Sequence, residues 1–110
     1  MFKVTKEPRF THEVKVMVPV DGGHVEQTFK ATFRVLPMEE LDENADLSPA
    51  ENQAQSLRKV ICGLADIEGD DGKPVEYSDE LRDQLIEIPY ARIALMRTYL
   101  SALTKARAGN

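Results

Sequence analysis

The sequence has no tryptophan, one cysteine and few aromatic residues of any kind. Each shortage removes a class of protein. A single thiol, Cys62, excludes an intramolecular disulfide. It lies in the apolar segment Lys59–Leu64 and is expected to be a buried small hydrophobe rather than a nucleophile. Crossing a bilayer takes roughly 18 or more apolar residues in succession, and no window approaches that. The first residues, Met1-Phe2-Lys3-Val4-Thr5-Lys6, lack the apolar stretch of a secretory signal. A reducing cytoplasm is the expected compartment. With 110 residues the chain holds one core and not two, so a single domain over 1–110 is expected.

What is present is charge, at 30% of residues and a formal net of −5. It is unevenly spread. From Met38 to Glu87 there are fifteen acids against four bases, and beyond Glu87 only bases: Arg92, Arg97, Lys105 and Arg107. An acidic middle repels phosphates, which argues against a nucleic-acid partner. The C-terminal bases are read as complements to the negative end of a last helix.

Residues 1–9 are expected to be a flexible lead-in. Residues 10–36 read as a β-hairpin. Val14, Val16, Val18 and Val20 alternate, as do Phe29, Ala31, Phe33 and Val35, while Thr28, Lys30, Thr32 and Arg34 take the opposite face. Asp21-Gly22-Gly23 supplies the reversal, and Pro19 belongs on an edge or near a strand end. A lone hairpin is marginal in water, so its apolar face must rest on something else.

Residues 37–107 supply that cover as helices. Leu36–Leu41 could open a short one, with Pro37 in its first turn. Ser48-Pro49-Ala50-Glu51 is a capping box, and Ala50, Ala54, Leu57, Ile61 and Leu64 then recur at helical steps, with Gly63 placed as a left-handed stop. A turn-rich connection covers 66–77. Ser78 caps the next helix, which carries Leu81, Leu85 and Ile86 inward, and Pro89 ends it and starts the last, over roughly 89–107. On that last helix Ile93, Leu95, Met96, Tyr99, Leu100, Ala102 and Leu103 form the expected apolar face. Arg92 projects from it and is expected to reach Glu87 or Asp83 with its stem on hydrocarbon. The fold class is therefore α+β: an N-terminal antiparallel hairpin or small sheet, with a third short strand allowed, packed on three to four helices.

Chemistry finds little support. Asp66, Glu68 and Asp70 mimic the start of a calcium loop, but Asp71 stands where glycine must turn the chain and Tyr77 where a bidentate glutamate is needed. His12 and His24 lack a third ligand and are expected to be exposed. No histidine neighbours Cys62, and no Gly-x-Ser-x-Gly elbow or phosphate loop occurs. No enzyme activity, metal, cofactor or small-molecule substrate is expected. A binding surface is, and its expected residues are Arg92, Leu95, Met96, Tyr99, Leu100 and Leu103 on the last helix.

The order of four segments resembles the tail assembly chaperones of long, flexible-tailed phages. These are Glu26–Leu36, Leu57–Leu64, Asp70–Ser78, and Ile88-Pro89-Tyr90 leading into Ala94–Leu100. The resemblance runs from about Val14 to Leu103; Leu64-Ala65 stands where a tryptophan would be expected after Gly63. It implies a non-catalytic protein of the host cytoplasm, absent from the mature virion. Its implied partners are the tape measure protein and the tail tube protein, with self-association as a further expectation. The competing reading is a small regulatory module that binds DNA or inhibits another protein. The last two helices would form its helix-turn-helix, but Glu76, Asp79, Glu80, Asp83 and Glu87 would stand beside the phosphates.

Overall fold

The computed structural model describes residues 1–37 and 48–104. Residues Arg9–Val20 and Gly23–Arg34 form strands β1 and β2, paired antiparallel without interruption from Arg9↔Arg34 to Val20↔Gly23. The turn between them places Gly22 at φ 78°, a conformation that glycine adopts without a Cβ clash. The expected alternation holds where the hairpin meets the core. Val14, Val16, Phe29, Ala31 and Phe33 are buried, and Glu13, Lys15, Thr28 and Lys30 are exposed on the other face. Thr11 and Thr32 are joined through their hydroxyls on that outer face, at 2.8 Å.

Helix α1 spans Pro49–Val60 and begins as the capping box predicts, the Ser48 hydroxyl accepting from the Glu51 N–H at 3.2 Å. It does not continue to Gly63. Ile61–Ala65 is a third strand, β3, antiparallel to β2, so the sheet order is β1-β2-β3. Two β-branched residues, Val60 and Ile61, favour the extended chain at this point, and pairing with β2 supplies the ladder that a helix would otherwise need. Gly63 lies opposite Thr32 in this strand and is no helix stop. The register shifts between Thr32 and Phe33, which leaves Cys62 as the extra residue of a bulge, half-buried in a strand rather than in a helix. The expected helix at Leu36–Leu41 falls mostly outside the described residues; Leu36 and Pro37 are not helical.

Helix α2, Asp79–Glu87, is capped by Ser78, whose hydroxyl accepts from the Leu81 N–H at 3.0 Å. A single extended residue, Ile88, separates it from helix α3, Pro89–Leu103. Helix α3 lies against β1, and α1 and α2 pack beside it. The core between sheet and helices is built on Val14, Phe33, Leu57, Val60, Ile61, Ile86 and Leu95, all at 2% exposure or less. The fold is α+β, a three-stranded antiparallel sheet covered on one face by three described helices.

Candidate functional site

Helix α3 splits the expected binding residues into two groups. Leu95 and Tyr99 are 0% and 3% exposed and belong to the core; Met96 is half-buried against it. Tyr99 stacks on Phe10 with ring centroids 6.0 Å apart and tilts against Phe33 at 5.3 Å. Leu100 and Leu103 are accessible, at 53% and 46%. Ile93, expected to face inward, is 47% exposed. The inward face is centred instead on Ala91, Ala94 and Leu95. Ala91, Ala94, Leu95 and Tyr99 share one face of the helix, and Ile93 and Leu100 lie on the opposite one.

Arg92 does not reach Glu87 or Asp83. Arg58 of α1 occupies both, its guanidinium lying 3.5 Å from Asp83 and 3.5 Å from Glu87. Ile88 is extended, so Glu87 is not on the same helix as Arg92 and its carboxylate is directed across to α1. The Arg92 Nε is buried without a hydrogen-bond partner among the described residues.

A groove of mixed apolar and polar lining opens beside this helix, with a volume of about 800 Å³. Three parts of the chain build it. The hairpin contributes Val16, Val18 and Phe29 with the polar Gln27 and Thr28; the 66–75 connection contributes Ile67, Pro74 and Val75; and the α2–α3 junction contributes Leu85, Ile88, Tyr90 and Ala91. The connection holds its shape through the Val75 N–H donating to the Ile67 carbonyl at 2.8 Å, a Glu68–Pro74 bridge and the left-handed residues Asp66 and Gly72. Asp66 and Glu68 stand among the groove's lining residues and carry its negative charge. Val75, Tyr90, Val20 and Val25 are exposed at or near this region, between 37% and 47%. The acidic connection, whose spacing imitates a calcium loop, is thus one wall of the groove, and no short sequence window contains more than one of the three parts.

A second depression, of about 540 Å³, is lined by Arg34, Arg58, Lys59, Arg82, Cys62, Tyr77 and Asp79. Arg82 and Arg58 are paired with carboxylates there, whereas the Arg34 Nε is buried without a hydrogen-bond partner among the described residues. Arg82 pairs with Asp83 at 3.0 Å and Asp79 at 3.5 Å, and also donates to the Arg58 carbonyl at 3.4 Å. The Tyr77 hydroxyl donates to the Ile61 carbonyl at 3.5 Å, and burial raises its pKa above the ordinary value. Burial likewise raises that of Tyr99, whose hydroxyl lies near the Leu36 backbone without a well-formed hydrogen bond.

The two histidines are separated along the hairpin: His12 pairs with Ala31 and His24 with Pro19. His24 is exposed, but His12 is half-buried, its ring edge-on to Phe10 at 5.5 Å. Among the described residues no three His, Cys, Asp or Glu side chains converge as a metal site would require, and no helix is long and apolar enough to cross a membrane. What the surface offers is a groove of mixed lining, exposed aliphatic side chains on α3, and a surrounding of carboxylates. The chain matches no protein-family model, no curated protein and no solved structure.

Proposed function

We propose that the chain is a non-catalytic binding protein of the phage tail assembly chaperone kind, which holds an apolar helical segment of a tape measure protein in solution. The observation that carries the reading is the solvent-open groove in which Val18, Ile67, Val75, Ile88 and Tyr90 lie beside Asp66 and Glu68. Exposed apolar surface that is contiguous and rimmed by charge is a recognition feature rather than a packing remainder. Ile93, Leu100 and Leu103 on α3 are further exposed apolar side chains that a client could cover. The carboxylates in and around the groove keep the free protein soluble and favour clients with basic flanks.

Partner binding and chemistry make different demands on a site. Chemistry needs convergent polar groups in a closed cavity, whereas a client helix needs open apolar relief. The groove is of the second type.

The test is co-expression with a tape measure fragment, followed by co-purification and hydrogen exchange. Binding should protect amides of the 66–75 connection and the start of α3. Failure to retain a soluble fragment, or protection confined to the outer face of the sheet, would overturn the reading.

A further inference from the structure

Strand β1 has a free side. Among the described residues the sheet order is β1-β2-β3, so β1 meets β2 on one side and no strand on the other. One hydrogen bond fixes which backbone groups face outward. The Val35 N–H donates to the Pro8 carbonyl at 3.0 Å, and these two residues continue the β1–β2 register. In an antiparallel ladder hydrogen-bonded and non-hydrogen-bonded pairs alternate, so the even-numbered residues of β1 exchange bonds with β2. The N–H and C=O groups of Arg9, Thr11, Glu13, Lys15 and Met17 therefore point away from the sheet. Pro19 falls in the same outward set, where its missing N–H costs no ladder bond within the chain.

Long open edges are usually blunted by brevity, a bulge, proline or charged side chains; the proline of β1, Pro19, lies one residue from its end. β1 is 12 residues long and pairs with β2 without a register shift. Its central exposed charges, Glu13 and Lys15, are opposite in sign and two residues apart. Such a strand is complementary to itself.

We propose that β1 pairs antiparallel with β1 of a second copy of this chain, about a two-fold axis at Val14, joining two sheets into one of six strands. The register follows from charge. Outward-pointing backbone groups can meet only if odd-numbered residues face odd-numbered ones. An axis on Glu13 sets two carboxylates opposite each other, and an axis on Lys15 does the same with two ammonium groups. An axis on Val14 sets Glu13 of each copy against Lys15 of the other, twice over. On the helix-covered face it sets Phe10 against Val18 and His12 against Val16. Phe10 and Val18 are partly buried apolar residues at the border of the core, and the second copy covers them. Val18 is shared with the groove, but the pairing rests on the strand edge and not on the chaperone reading.

Sedimentation equilibrium on the full chain, from micromolar to millimolar concentration, tests it. The wild-type chain should form a reversible dimer. Lys15→Glu or Glu13→Lys alone should weaken that dimer by about tenfold or more, since each change turns two attractive pairs repulsive. The double exchange E13K/K15E should restore it. Both side chains are exposed, so circular dichroism should show each variant folded. A monomer across the whole range would overturn the proposal, including a monomer that adds another protein's extended segment at this edge. So would a dimer indifferent to the single exchanges, or one that the double exchange does not recover.

Discussion

Gly63 lies so close to Thr32 that a Cβ at position 63 would sit 3.2 Å from the Thr32 Cβ and 3.4 Å from its hydroxyl oxygen. The crowding has a fixed wall, because the Thr32 hydroxyl is held by Thr11 at 2.8 Å. Gly63→Ala gains a little from a stiffer unfolded chain. The clash should outweigh that gain, for a net loss of about 1 kcal/mol by urea denaturation. A neutral or stabilising result would mean that β3 can move away from β2 at its bulge.

Two leucines on α3 should behave oppositely. Leu95 is 0% exposed, and Leu95→Ala should cost about 2–5 kcal/mol by leaving a cavity between helix and sheet. Leu100 is 53% exposed, and Leu100→Ser should change stability by less than about 0.5 kcal/mol. Combined with Ile93→Ser, it should weaken client retention in the co-purification assay while leaving the unfolding midpoint in place.

The serine caps give a third measurement. Ser48 and Ser78 each accept a hydrogen bond from the N–H three residues on. Replacing either with alanine should cost about 1 kcal/mol. Ser78 should matter more, since its 3.0 Å bond is part-buried and the 3.2 Å bond of Ser48 is exposed.

Alkaline pH should expose the buried phenols. Burial raises the pKa of both Tyr99 and Tyr77 above the ordinary 10.0. The folded state therefore holds these protons more tightly than the unfolded chain. That contribution is complete below the unfolded pKa and is lost as pH climbs through it toward the folded value. Urea midpoints should fall as pH rises past about 10, and Tyr99→Phe should flatten the fall. At neutral pH the same variant should be neutral or stabilising by up to about 1 kcal/mol, because it removes a poorly satisfied buried hydroxyl.

Local signals announced much of this fold. The alternation from Val14 to Phe33 gave the hairpin, and Ser48, Ser78 and Pro89 marked helix starts where they occur. What eluded them was decided at long range. The series Ala54, Leu57, Ile61, Leu64 keeps helical spacing across a boundary where the chain becomes a strand. Short apolar runs satisfy both patterns, and the choice was made by β2, some thirty residues earlier. The rotation of α3 had a similar origin. Side-chain size pointed to Ile93 as an inward residue, but Ala91 and Ala94 are buried in its place. Leu95 and Tyr99, two of the six expected binding residues, are core residues, and the groove is assembled from segments that no single stretch of sequence places together.

The joint at Ile88 links the groove to the core. One extended residue closes α2 and opens α3, its own N–H donating to Leu85 and its carbonyl accepting from Arg92. Bonds on both sides tie the joint to the helix before it and the helix after it. The groove residue Ile88 is thus only two residues from Ile86, one of the least exposed side chains of the core.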